Sequence, residues 1–134
     1  MAADGLATVP SKFGPKETMD RLEADIRAKG MTVFARIDHA AGAAVVGMPL
    51  RPTELLVFGA AKAGTPLMQE DQAVGIDLPL KALVYADAGG KVWLAYNDPH
   101  WIARRHGLDA AVAKNVDAMA TALEVLARDA TGSP

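Results

Sequence analysis

Apolar positions recur along this chain at two periods, and the changes from one to the other mark its elements. Leu6 to Pro10 is a short run bounded by Gly5 and Pro10, which predicts an edge strand. Pro15 follows Gly14 at a helix start, where its missing N–H costs nothing. Met19, Leu22 and Ile26 fall three and four apart, so one face of that helix is apolar. Gly30 stands at the left-handed cap, with Met31 placed to fold back onto Ile26. Thr32 to Ile37 then alternates, predicting Val33, Ala35 and Ile37 on one side of a strand and Thr32, Phe34 and Arg36 on the other. Asp38 is expected to cap a short Ala-rich helix from His39 to Gly47, stopped by Pro49 and Pro52.

Leu55-Leu56-Val57-Phe58 is continuously apolar and reads as a strand buried on both faces. A glycine-rich loop, Gly59 to Pro66, is expected next, then a helix from about Pro66 to Ala73. Leu80 to Ala86 and Lys91 to Tyr96 flank the turn residues Asp87-Ala88-Gly89-Gly90 and predict a β-hairpin. Asp98-Pro99 starts a helix that ends at Gly107. Val112, Val116, Met119, Leu123 and Leu126 form the longest apolar stripe and predict one helix from Asp109 to about Arg128. The expected fold is α+β: a mainly antiparallel sheet of about five strands, helices packed on one face, and a long C-terminal helix. Residues 1–134 read as a single domain, with residues 1–5 and 130–134 as flexible tails.

Composition narrows the chemistry. With 51% hydrophobic and 22% charged residues, the chain can build a packed core. A net charge of -2 gives no basic excess to neutralise phosphates, so no nucleic-acid partner is expected. No run of about 18 apolar residues exists, so no membrane span is expected. Cysteine is absent, which removes thiol catalysis, disulfides and thiolate-bound metals. Ala2-Ala3-Asp4 reads as the remnant of a small-residue cleavage site with Met1 added, which favours a periplasmic or secreted mature form over a cytoplasmic one.

Candidate site residues gather at three strand-to-helix junctions. Asp38 and His39 form the first. Lys62 and Thr65 lie in the second, where the glycines invite a phosphate-loop reading. There Thr65 follows Gly64 directly, and Pro66 removes an N–H that would help hold an anion. Anion contact through Thr65 and the N–H groups after Pro66 is the remaining expectation there. Tyr96, Asn97, His100 and Arg104 form the third and densest group, with His100 and Arg104 one helical turn apart. Against each stands a structural role: Asp38 and Asp98 as caps, Trp101 as packing, Tyr96 closing a strand. No histidine pair has zinc-enzyme spacing, and no nucleophile-elbow pattern surrounds Ser11 or Ser133.

Several stretches together resemble a known family. They are Asp38-His39-Ala40-Ala41, Pro52-Thr53-Glu54-Leu55-Leu56-Val57-Phe58-Gly59, Gly64-Thr65-Pro66-Leu67-Met68-Gln69, Asp77-Leu78-Pro79-Leu80 and Tyr96-Asn97-Asp98-Pro99. Their order and spacing are similar to the domain-of-unknown-function 302 family from about Leu6 to Gly107, with the final helix in register. The resemblance implies a TATA-box-binding-protein-like α+β fold and homodimers, and it carries no established activity. Family members often have Asn-Pro where this chain has Ala60 and Ala61, so a polar amide is missing from that loop.

The functional expectation is a dimeric small-molecule-binding module for a polar or anionic ligand, bound by Asp38, His39, Lys62, Thr65, Tyr96, Asn97, His100 and Arg104. No catalytic residue and no cofactor is assigned. One alternative is a metal-assisted enzyme that joins Asp38 and His39 to His100. The other is a structural or interaction domain with no pocket.

Overall fold

The computed structural model describes residues 3–134; Met1 and Ala2 lie outside the described residues. Five strands, β1 (Leu6–Pro10), β2 (Thr32–Asp38), β3 (Thr53–Gly59), β4 (Leu80–Ala86) and β5 (Val92–Asn97), form one sheet. Its order is β1-β5-β4-β3-β2, and every neighbouring pair is antiparallel. The helices are α1 (Pro15–Ala28), α2 (His39–Val45), α3 (Ala61–Glu70), α4 (Pro99–His106) and α5 (Ala113–Thr131). Short 3-10 turns at Gln72–Asp77 and Ala110–Val112 precede β4 and α5. This is the α+β arrangement that the apolar pattern predicts.

Helices α1 and α5 cover one face of the sheet. Met19, Leu22 and Ile26 of α1 meet Leu56, Phe58, Val84 and Leu94 of the sheet, together with Leu123, Leu126 and Ala130 of α5, in one core. Helix α1 ends as expected: Gly30 has φ +77, its N–H donates to Arg27 O, and Met31 N–H donates to Ile26 O. A second cluster lies beyond the end of the sheet, where Leu67, Val74 and Ile102 surround Val112, Val116 and Met119. All five residues of the expected stripe are buried, but Val112 lies in the 3-10 turn and only the other four are on α5, which starts at Ala113 where Asp109 was expected; the helix ties the two clusters together.

Several expectations change in the structure. Residues 61–65, expected in the loop from Gly59 to Pro66, form no loop. Helix α3 starts at Ala61 and runs through Pro66 to Glu70, because Ala61, Lys62 and Ala63 favour helix strongly enough to tolerate one proline downstream. The N–H groups that follow Pro66 therefore lie inside a helix, and no anion cradle forms from them.

In β2 a bulge between Val33 and Ala35 inverts the alternation. Arg36 consequently turns toward α1 and Ile37 toward the open side, where it is 42% exposed. In β3, Leu56 and Phe58 are buried, but Leu55 and Val57 are only half-buried. The expectation of burial on both faces fails there, since α1 and α5 cover one side only.

Helix α5 extends to Thr131, past the expected end. Ala130 and Thr131 are fully buried, Lys12 N–H donates to Thr131 O, and the Ser133 hydroxyl donates to Pro10 O. These residues are held, where a loose tail was expected.

Candidate functional site

An antiparallel sheet sends successive strands to opposite ends, and this divides the candidate residues. Asp38 pairs with Glu54 at the end where β2 finishes and β3 begins. Thr65, Tyr96 and His100 stand at the other end, where β3 and β5 finish. Six residue steps at about 3.3 Å separate the two ends by about 20 Å. No single ligand or metal ion joins Asp38 and His39 to His100, and the metal-assisted alternative is corrected on that ground. Asp38 instead caps α2, accepting from Ala41 N–H at 2.9 Å. His39 is exposed beside it.

Three of the eight predicted residues come together. Tyr96, His100 and Arg104 line one pocket of about 380 Å³ with Gly5, Ala7, Asp98, Ala120 and Glu124. The local sequence explains the convergence. Asp98 caps α4 by accepting from His100 N–H at 3.0 Å, and Pro99 occupies the first turn, so the helix starts directly after β5. His100 and Arg104 then project on one side of α4. Helix α5 supplies the facing wall: Ala120 is small and buried, and Glu124 lies one turn further on.

The imidazole of His100 sits between two carboxylates, with Nε2 2.8 Å from Asp117 Oδ1 and Nδ1 3.3 Å from Asp98 Oδ1. The Asp117 hydrogen bond, with help from Asp98, raises the pKa of His100. Burial raises that of the Tyr96 phenol, and the Glu124 and Asp98 charges add to it. Arg104 and Glu124 form no ion pair among the described residues, with each other or with any third group. The pocket thus presents one free cation and one free anion.

The other candidates fall elsewhere. Asn97 ends β5 opposite Leu6, on the sheet face away from α1 and α5. Lys62 is exposed on α3. Thr65 lines a different cavity, which is almost wholly carbon-walled. Trp101 packs half-buried against the second cluster and over Gly5. Sequence reasoning missed Asp117 and Glu124. The signal for them was their seven-residue spacing on α5, with Ala120 between, which places all three along one helical edge.

A further pairing lies outside the pocket. Asp77 holds His106 at 2.6 Å through Nε2 and accepts twice from Arg105, at 2.9 Å. Those bonds fasten the end of α4 to the 3-10 turn before β4. Among the described residues no group of three or more His, Asp or Glu side chains is arranged to hold a metal ion. Nor is any helix there long and apolar enough to cross a membrane.

Known proteins resemble this chain in sequence and in fold. The chain is 44% identical over 128 residues to the fluoride-specific ion channel FluC 1 of Brucella suis biovar 1 (strain 1330), covering 96% of this chain and 50% of that protein. It is equally similar to FluC 1 of Brucella abortus biovar 1 (strain 9-941), of which it covers 47%. The chain therefore spans about half the length of the curated relatives it matches. A crystal structure of an uncharacterized conserved protein from Bacillus stearothermophilus superposes with a TM-score of 0.84 at 21% identity, covering 96% of this chain and 99% of that one. That structure, too, is described as DUF302. The family model for domain of unknown function DUF302 matches residues 7–126, nearly the whole folded core, and the chain belongs to that family.

Proposed function

We propose that this chain is a dimeric small-molecule-binding module whose ligand is small, polar and zwitterionic. The observation that carries the reading is the pair of unpaired charges, Arg104 and Glu124, on the walls of one pocket. A guanidinium fork suits a carboxylate, and a free carboxylate suits an amine. Tyr96 lines the same pocket, and its hydroxyl adds a donor. A purely anionic ligand fits less well, because Asp98 and Glu124 share the pocket and Lys62 lies elsewhere. The fluoride conduction in the curated relatives' name belongs to proteins about twice this chain's length, and the reading rests on the pocket instead.

The dimer is assigned to the open sheet face. Leu55, Val57, Leu83 and Trp93 point there half-buried, and among the described residues they belong to neither helix-packed core cluster. Ile37 of β2 and Leu50, which stands beside Leu83 and Tyr85, extend the apolar surface, and Val45, Val46 and Met48 at and just after the end of α2 are exposed by 64% to 85%. Five strands about 4.8 Å apart and about 20 Å long present roughly 500 Å² before side-chain relief is counted. With the α2 arm added, this reaches the range of about 800 Å² per partner of stable pairs.

The test is a thermal-shift screen of free amino acids, dicarboxylates and diamines at millimolar concentration, with the native chain and Arg104→Ala side by side. Zwitterions are expected to raise the melting temperature of the native chain only. A screen in which no compound stabilises the native chain, or in which Arg104→Ala responds equally, sinks the ligand reading. Sedimentation of Leu83→Lys checks the dimer separately: the native chain is expected to sediment as a dimer and the variant as a monomer.

A further inference from the structure

The structure holds a second cavity, of opposite character, that the polar pocket does not explain. It measures about 290 Å³ and lies at the same end of the sheet, between β3, α3 and the start of β4. Its walls come from small residues, above all Gly59, Ala60, Ala61 and Gly64, and its apolar bulk from Met68, Leu80 and Met119. Of all its lining side chains only that of Thr65 carries a polar atom.

The hollow is not imposed by a close approach of backbone. A Cβ added at Gly64 meets Leu78 Cδ1 at 3.6 Å and Met68 Cε at 3.8 Å, both ordinary contacts. Gly64 also sits within α3, where alanine is worth about 1 kcal/mol more than glycine. A larger residue would therefore fit the space and help the helix, yet the wall is built from glycine and alanine. At the rim stands Phe34, the extra residue of the β2 bulge, 58% exposed.

We propose that this cavity binds a small neutral apolar molecule, an aromatic or alicyclic compound of about two rings, with Phe34 closing over it. The chemistry follows from the walls. A charged or strongly polar ligand would surrender its hydration to carbon and find one hydroxyl in return. A peptide segment would leave its backbone N–H and C=O groups without partners for the same reason. A carbon skeleton loses nothing on entry and removes apolar wall from water. A dry cavity of about 150 Å³ suffices for benzene, so about twice that volume takes two rings. The site is separate from the zwitterion pocket and stands or falls independently of it.

The probe is 6-propionyl-2-dimethylaminonaphthalene, a neutral two-ring fluorophore that brightens in apolar surroundings, with naphthalene as competitor. Three results are expected. The probe brightens with the native chain and is displaced by naphthalene but not by free amino acids. Naphthalene shifts the ε-methyl NMR signals of Met68 and Met119 and leaves the core methyl of Met19 in place. Ala61→Trp, at an exposed wall position, and Gly64→Leu, which fills the hollow, each weaken the probe at least tenfold at unchanged circular dichroism.

Brightening that persists in both variants overturns the proposal, as do naphthalene shifts that miss Met68 and Met119. So does a native dimer that Ala61→Trp dissociates, since the cavity would then be an interface between copies. The naphthalene titration needs no variant, so it decides the matter even if Gly64→Leu misfolds.

Discussion

Gly5 carries a steric demand that a single methyl group exposes. It has φ +76, a conformation that L side chains rarely adopt, and its carbonyl accepts from Asp98 N–H at 2.8 Å. A Cβ placed there would lie 2.3 Å from both Cγ and Cδ2 of Trp101 and 2.7 Å from Cδ1. Gly5→Ala thus costs about 1–2 kcal/mol for the left-handed backbone. Carbon atoms rest at about 3.5–4.0 Å, so the indole must also withdraw by more than about 1 Å. Overpacking of that kind costs about 1–3 kcal/mol.

The sum, about 2–5 kcal/mol, is to be read from urea unfolding of the native chain and the variant. Trp101→Ala supplies the control. In that background the steric part vanishes, and Gly5→Ala should cost only the backbone portion, so the double-mutant cycle shows a coupling of about 1–3 kcal/mol. A cost below about 0.5 kcal/mol, the size of an ordinary surface substitution, refutes the reasoning. So does an equal cost with and without the indole. Because Trp101 follows His100 on α4, the same substitution should also weaken the thermal shift given by zwitterions.

Other perturbations follow from the charges and the core. Arg36 is bonded to Glu54 through Nε and Nη2 and meets Asp20 and Glu23 through Nη1. The Lys16 ammonium and then Arg36 hold the Asp20 carboxyl below its ordinary value, and Arg36 with Arg27 does the same for Glu23. A lowered carboxyl stabilises the fold above the ordinary range, about pH 4 to 4.5, and loses that contribution as the pH falls through its folded value. Arg36→Met should flatten the acid limb of stability measured between pH 5 and pH 2, and an unchanged limb would contradict the network. His100 is raised, so its contribution is complete below about pH 6.5 and is lost as the pH rises through the folded value. Asp117→Asn should bring its NMR titration down toward the ordinary histidine value, and an unmoved midpoint would show that the Asp117 bond is not the cause. Leu126, 1% exposed where α5 meets the sheet, should cost about 2–5 kcal/mol on truncation to alanine, measured by the same urea unfolding.

Where period alone determines structure, the sequence is a sound guide. The α5 stripe, the Gly30 cap and the hairpin at Asp87 are local features. At Asp87, Oδ1 accepts from Gly89 and Lys91 N–H and Oδ2 from Trp93 Nε1, so the turn is specified by one side chain and its near neighbours. The β2 bulge is different. It depends on how Val33 and Ala35 register against Phe58 and Val57, a relation between strands some 20 residues apart that leaves no mark in either. The bulge turns Arg36 inward to the helix layer and Phe34 to the rim of the apolar cavity. The start of α3 was hidden in another way. Gly64-Thr65-Pro66 has the look of a helix entry, and it masks the Ala61-Lys62-Ala63 run before it, which already favours helix.

The division of the candidate residues was legible in principle. In an antiparallel sheet, neighbouring strands finish at opposite ends, so β2 and β4 finish together, and β3 and β5 finish together. A site uniting the junctions after β2, β3 and β5 contradicts the very sheet the apolar pattern predicts. The parity of the strands alone removes Asp38 and His39 from any site containing His100. It leaves the junctions after β3 and β5 on one end, where the structure has its apolar cavity and its polar pocket. Parity cannot tell those two apart. That distinction comes from α5, which crosses the end of the sheet and offers Met119 to one hollow and Ala120 and Glu124 to the other. Consecutive residues on a helix point about 100° apart, so one helix walls two sites of opposite chemistry with neighbouring residues. A change at Met119 should therefore be felt in the carbon-walled cavity and one at Glu124 in the polar pocket, with little exchange between them.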